Sequence, residues 1–392
     1  MPVHRFESGR VAILAARRTP IGSFMGALAG VTAPHLGSIA IRAALADSGV
    51  APEQVSEVLM GHVLAAGCGQ APARQAARGA GLPDGVGATG IHKVCGSGLK
   101  AAMTAALAVA AEPSQVVVAG GMESMSNTPF LLPDMRGGRK LGHGQAVDAL
   151  LSDGLTDAYG GMHMGVCAER TADRYNVSRQ QMDDFTRESY RRALAARDSA
   201  FSAELVAVDE GRFALDHDEE PDRYRPDKVD TLKGAFEPDG AVTAANSSSL
   251  NDGAAALVIA GGDVSPVEPL AWVRAQAGTA AEPEWFTTAP VAAIGEALKA
   301  ASLTVADIGL WEINEAFAVV PMVAAHELGI PAERLNVNGG AVALGHPIGA
   351  SGARILTTLI HAMRARRERW GVAAICIGGG EGLAVVVENP AA

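Results

Sequence analysis

Short apolar runs alternate with longer stretches of helical periodicity along most of the chain, and glycines or polar turns bound each run. Val116-Val117-Val118-Ala119, Ala254 to Ala260, Leu310 to Ile313 and Val372-Ala373-Ala374-Ile375 have the length and composition of buried strands. Residues 98–111 are nearly all Ala, Leu, Met and Val. A helix there is apolar all round and belongs between layers rather than at the surface. Its counterpart is 352–365. Strands alternating with helices predict βαβ units and mostly parallel sheets.

The pattern occurs twice. Ala44 to Val50 leading to Val55 to Gly61 is echoed by Ala297 to Leu303 leading to Ile308 to Asn314. Cys95-Gly96-Ser97-Gly98-Leu99-Lys100 is echoed by Gly349-Ala350-Ser351-Gly352-Ala353-Arg354, each opening a helix rich in Ala and Leu. Val116 to Glu123 is echoed by Ala374 to Glu381. The three echoes keep their order at an offset of about 255 residues. An α/β fold of two similar halves is expected: residues 1–124 with 244–272, and residues 273–392.

Residues 125–243 differ. They carry paired charges such as Asp183-Asp184 and Arg191-Arg192, and the acidic stretch Asp216 to Glu220. Residues 167–200 predict two polar helices separated near Asn176-Val177-Ser178, with Ser178 as N-cap. This reads as a surface insertion with room to cover a ligand.

The chain has 392 residues, 48% of them hydrophobic and 19% charged, which excludes a disordered chain. The net charge of −11 opposes binding to nucleic acid or anionic lipid. The one dense basic run, Arg364 to Arg369, reads as the solvated end of a helix. Four cysteines at 68, 95, 167 and 376 form neither a metal pattern nor a disulfide framework, which suits a reducing compartment. The N-terminus lacks the order of a signal peptide, and no apolar run reaches the length of a membrane span. A cytoplasmic protein is expected.

Four short motifs carry candidate chemistry. Cys95, in Val94-Cys95-Gly96-Ser97-Gly98, sits where a strand gives way to a helix, whose free N–H groups favour a thiolate. Taken alone, the motif reads as a small buried cysteine at a tight turn. His346, in Gly345-His346-Pro347-Ile348-Gly349, could take a thiol proton or simply donate a local hydrogen bond. Cys376 precedes Ile377 and the glycines 378–380, as filler or as a second acid/base. Asn314 ends a strand, where its amide could hold a water or a carbonyl oxygen.

Together these motifs, with Asn314-Glu315-Ala316-Phe317 and Asn336-Val337-Asn338-Gly339-Gly340, resemble those of the thiolases, nearest the acetoacetyl-CoA (biosynthetic) branch, over essentially the whole chain. The resemblance implies the thiolase fold, two βαβαβαββ halves in αβαβα layers with an inserted loop domain. It implies a reversible Claisen condensation of two acetyl-CoA to acetoacetyl-CoA and CoA. Cys95 would be the acylated nucleophile, His346 its base, and Cys376 the carrier of the α-proton. Asn314 with His346 would form one oxyanion site, the N–H groups of Cys95 and Gly378 the other. His163, Met164, Ala244, Ser248, Phe317 and Ala318 would face the acyl and pantetheine parts of coenzyme A. No metal or cofactor beyond coenzyme A as substrate is implied, apart from a K+ site near Tyr224. The family is dimeric or tetrameric, and segment 125–150 would serve tetramer contacts. The rival readings are a degradative 3-ketoacyl-CoA thiolase of broader chain length and a non-catalytic lipid-binding or scaffold subunit. A β-ketoacyl synthase has the same fold but usually has histidine in place of the second cysteine.

Overall fold

The computed structural model describes residues 3–392. Every residue along 116–124 is buried, and alternate side chains enter opposite clusters: Val117 and Ala119 join one, Val116, Val118 and Met122 the other. A strand buried on both faces needs helices on both sides, and that requirement sets the layers.

The first half comprises β1 (Val3–Arg5), β2 (Val11–Arg18), β3 (Gly22–Ser23), α1 (Ala33–Ser48), β4 (Glu57–Gly61), α2 (Pro72–Gly79), β5 (Gly87–Ile91), α3 (Ser97–Ala111) and β6 (Val116–Ser124). The intervening segment holds two short hairpins, β7 (Phe130–Leu131) with β8 (Val147–Asp148) and β9 (Val208–Glu210) with β10 (Phe213–Leu215). Its helices are α4 (Met164–Tyr175) and α5 (Arg179–Ala196). Ser178 caps α5 in a capping box with Gln181. β11 (Asn251–Gly261) returns to the first half. The second half is β12 (Ala271–Ala280), α6 (Ala289–Ala301), β13 (Leu310–Ile313), α7 (Val319–Leu328), α8 (Ala341–Leu344), α9 (Ile348–Arg366), β14 (Trp370–Ile377) and β15 (Glu381–Glu388).

Hydrogen bonding runs through one sheet in the order β13-β14-β15-β12-β2-β11-β6-β4-β5. Strand β12 joins the halves, pairing with β2 at Ala271↔Ile13 and Trp272↔Ala12 and with β1 along Val3–Arg5. Helices α1 and α2 cover the outer face of the first half, and α6 with α7 that of the second. Helices α3 and α9 lie between the halves, giving five layers, αβαβα. They touch at their N-terminal ends. A Cβ on Gly352 would stand 2.3 Å from the Leu99 nitrogen, and one on Gly98 would stand 2.8 Å from the Ala353 nitrogen. Glycine there lets the two helix starts meet, which places the loops before them side by side.

The sheet is not mostly parallel, as the alternation of elements suggested. Among the described residues only β4 with β5, β4 with β6, and β13 with β14 pair in parallel; the central strands are antiparallel. Strands covered on both faces are continuously apolar in either orientation, so periodicity cannot distinguish the two. A second expectation also changes. The window Val94–Ala111 has a mean hydropathy of 1.5 over 18 residues and meets the length and composition of a membrane span. It is α3 with its entry turn, and its apolarity is explained by packing against α9 and β6.

Candidate active site

Cys95 stands at the entry to α3 on a strained turn. Val94, just before it, has φ 43°, a left-handed conformation that a β-branched residue rarely adopts. The turn is held from three sides. The Lys93 amide donates to Ser97 Oγ at 2.8 Å, and Ser97 Oγ donates to the Val94 carbonyl at 2.7 Å. The Lys93 ammonium pairs with Glu381, so the nucleophile turn is tied to the start of β15.

His346 is fixed as closely. Its backbone N–H donates to Asn251 Oδ1 at 2.9 Å, and Asn251 in turn donates to the Gly22 carbonyl. Gly345, at φ 102°, passes so near that a Cβ would lie 2.3 Å from the Asn251 amide. The imidazole Nδ1 is 2.6 Å from Ser351 Oγ, and that hydroxyl donates to the Pro347 carbonyl at 3.0 Å. With its one hydrogen committed, Ser351 accepts from Nδ1–H. The Nε2 atom is therefore the unprotonated nitrogen. It is buried and has no protein partner.

Cys95, His346 and Gly378 share a cavity of about 370 Å³ with His163, Met164, Ala244, Ser248 and Phe317. Asn314 and Cys376 are fully buried and do not line it. The Asn314 Nδ2 has no partner, an open donor. Cys376 lies within electrostatic reach of Cys95.

Burial pushes the Cys95 thiol up to about 11, although the N–H groups of Gly378 and of Cys95 itself favour the thiolate. Burial, with the Arg354 charge, pushes the His346 imidazole down to about 3. At neutral pH the site therefore holds a thiol and a neutral imidazole, not the thiolate expected from a helix start alone. A helix N-terminus is worth roughly 0.3–1 kcal/mol, less than the roughly 1.4 kcal/mol that moves a pKa by one. Desolvation wins. Burial and the nearby Cys95 both push the Cys376 thiol up.

Around the cavity, His163 caps α4, its Nδ1 accepting from the Gly165 N–H at 3.0 Å, which leaves the Nε2 hydrogen available. Its ring stacks on Phe236 at 4.8 Å, and Phe236 meets Phe317 edge to face at 6.0 Å. Ser248 donates its hydroxyl to the Ala316 carbonyl at 2.9 Å, leaving its lone pairs for a donor on a ligand. Ala318 does not line the cavity; it is fully buried, and its N–H donates to the Asn246 carbonyl. Tyr224 stacks on Tyr190 at 4.0 Å and does not line the cavity. No group of three or more His, Cys, Asp or Glu side chains suited to a metal occurs among the described residues.

Sequence reading missed Phe236, Asn251 and the parts played by Ser351 and Arg354. Asn251 lies in an Asn/Ser-rich run that also reads as an ordinary turn, and Phe236 carries no motif.

The N-terminal thiolase domain matches residues 11–263 and the C-terminal thiolase domain residues 267–389. The acetyl-CoA acetyltransferase of Chromobacterium violaceum is 48% identical over 97% of this chain and 100% of its own. Acetyl-CoA acetyltransferase 1 of Arabidopsis thaliana is 46% identical over 96% of this chain and 94% of its own. A thiolase from Ascaris suum, crystallised in complex with coenzyme A, superposes with a TM-score of 0.93 at 44% identity, covering 97% of this chain and 100% of that one.

Proposed function

This chain belongs to the thiolase family, and from that premise we propose that it is an acetyl-CoA C-acetyltransferase, joining two acetyl-CoA reversibly into acetoacetyl-CoA and free coenzyme A. The observation that carries the proposal is the shared cavity in which Cys95 meets an unpartnered His346 Nε2 and the Gly378 N–H. The relatives named for this reaction support it at near full length.

In the first half-reaction Cys95 Sγ attacks the thioester carbonyl while its proton passes to His346 Nε2. The N–H groups of Cys95 and Gly378 stabilise the oxyanion. The bond to the coenzyme A sulfur breaks, and the imidazolium returns the proton to that sulfur. Acetyl-Cys95 remains. In the second half-reaction His346 Nε2 takes the proton of the Cys376 thiol, and the imidazolium and Asn314, directly or through a water, donate to the carbonyl oxygen of a new acetyl-CoA. The α-proton passes to the Cys376 thiolate so formed, the resulting carbon attacks acetyl-Cys95, and the imidazolium gives its proton to the departing Cys95 sulfur, which restores both thiols and the neutral imidazole.

His163, Met164, Ala244, Ser248 and Phe317 would hold the acyl and pantetheine portions, with Ala318 supporting Phe317 from behind. The reaction as written balances without a metal or organic cofactor. A monovalent cation beside Tyr224 would act at a distance from the cavity. A reducing compartment such as the cytoplasm suits chemistry carried by free thiols, and all four cysteines are free. A homodimer or homotetramer is supported by the exposed Phe130, Met135 and Leu141, the last 94% exposed, which need a partner surface.

The test is thiolysis of acetoacetyl-CoA and of longer 3-ketoacyl-CoA substrates with the purified protein, followed by free-thiol consumption. Turnover greatest with the four-carbon substrate supports the proposal. Turnover rising with chain length moves the chain to the degradative branch, and no turnover at all favours a non-catalytic subunit.

A further inference from the structure

A buried asparagine amide has two ends of similar shape and opposite character. Which end faces a site has to be set by a neighbour. Asn314 is fully buried, so bulk solvent does not set it. Its backbone is fixed at the end of β13, where the N–H donates to the Ala374 carbonyl at 3.0 Å. Its Oδ1 faces the guanidinium of Arg354, with Nη2 at 3.4 Å. The contact is long but charge-assisted. Turning the amide over would set two N–H donors against a cation in a site of low dielectric. The oxygen is therefore held toward Arg354, and Nδ2 is left as the free donor.

Arg354 is itself 2% exposed and sits on α9, in the turn after Ser351. Its Nη1 donates to Glu312 Oε1 at 2.9 Å. Glu312 lies on β13, two residues before Asn314, which directly follows the strand's last residue. One guanidinium thus bridges Glu312 of β13 and Asn314 just after it to the helix whose entry loop carries His346. Glu312 holds the cation in place, since a buried charge without a partner is strongly unfavourable. The same Arg354 charge opposes protonation of His346.

We infer that Arg354, anchored by Glu312, is a positioning residue that sets the orientation of the Asn314 amide and so presents its N–H to the reacting oxygen. The inference rests on the proposed role of Asn314 in the second half-reaction and goes beyond it, since Arg354 touches neither Cys95 nor the cavity.

The test is a kinetic double-mutant cycle of Arg354→Lys with Asn314→Ala, measuring kcat and KM for acetyl-CoA condensation. Lysine keeps a cation beside Glu312 but not the second nitrogen that faces Asn314. Arg354→Lys should lower kcat about tenfold with KM nearly unchanged, less than the 10²–10³ that removal of a whole oxyanion donor costs. In the Asn314→Ala background the same change should alter kcat less than about twofold, because its target is gone. An equal loss in both backgrounds, or no loss in either, overturns the role of Arg354 while leaving that of Asn314 intact. A wild-type kcat in Asn314→Ala alone overturns the underlying role of Asn314 instead. If Arg354→Lys does not fold, Arg354→Met with Glu312→Met removes the pair without leaving a buried charge. That variant should show the same dependence on Asn314, and independence from it overturns the inference.

Discussion

His346 Nδ1 lies 2.6 Å from Ser351 Oγ, and the Ser351 hydroxyl is already committed to the Pro347 carbonyl. The serine therefore selects the tautomer in which Nε2 is a base. Ser351→Ala should leave binding of acetyl-CoA unchanged and lower kcat about tenfold, a fraction of the 10²–10⁴ that a general base supplies as a whole. Steady-state kcat and KM measure it. An unchanged kcat would show that the tautomer is set elsewhere.

The pH behaviour follows from burial. The Cys95 thiol is pushed up to about 11 and the His346 imidazole down to about 3. Both groups should stay neutral in the free protein from about pH 6 to 9. The raised thiol favours the folded state while protonated, so its stabilising share is whole at neutral pH and is lost as pH rises through about 11. The ultraviolet thiolate absorbance of wild type minus Cys95→Ser should show no step in the neutral range. A step near pH 7 would mean a preformed thiolate–imidazolium pair.

The two thiols should fail at different steps. Cys376→Ala should still take an acetyl group from acetyl-CoA, yet should not exchange the methyl protons of acetyl-CoA with deuterium. Nuclear magnetic resonance in heavy water reads the exchange. Loss of acylation in this variant would assign Cys376 a structural part only.

Chain length should be set by Met164 and the Phe236–Phe317 pair, which line the cavity together. One methylene accepted or refused by an apolar pocket changes kcat/KM by roughly 10–200-fold, or about 1–3 kcal/mol. Acetoacetyl-CoA should thus be strongly preferred over six- and ten-carbon 3-ketoacyl-CoA, and Met164→Ala should narrow the gap. A profile unchanged by that substitution would remove Met164 from the wall.

Much of this was legible in the chain itself. The repeated helix starts at Cys95 and Gly349, the glycine turns at Gly345 and after Ile377, and the apolar core helix all carry local signatures. What stayed hidden depends on tertiary structure. Strand polarity leaves no mark on strands buried on both faces. Asn251 reaches His346 across 95 residues of sequence, and Arg354 meets Asn314 across 40, distances at which spacing says nothing. The neutral state of Cys95 follows from desolvation, which a helix-start motif does not encode. Ala318 sits beside Phe317 in sequence but points into the core.

Both half-reactions pass through an acyl enzyme on Cys95. Incubation with acetyl-CoA alone, an acid quench and peptide mapping by mass spectrometry test it most directly. One acetyl group on the Cys95 peptide, absent in Cys95→Ala and discharged by added coenzyme A, is the predicted result. An acetyl group on Cys68 or Cys167, or condensation by Cys95→Ala with no acylated chain, would contradict it.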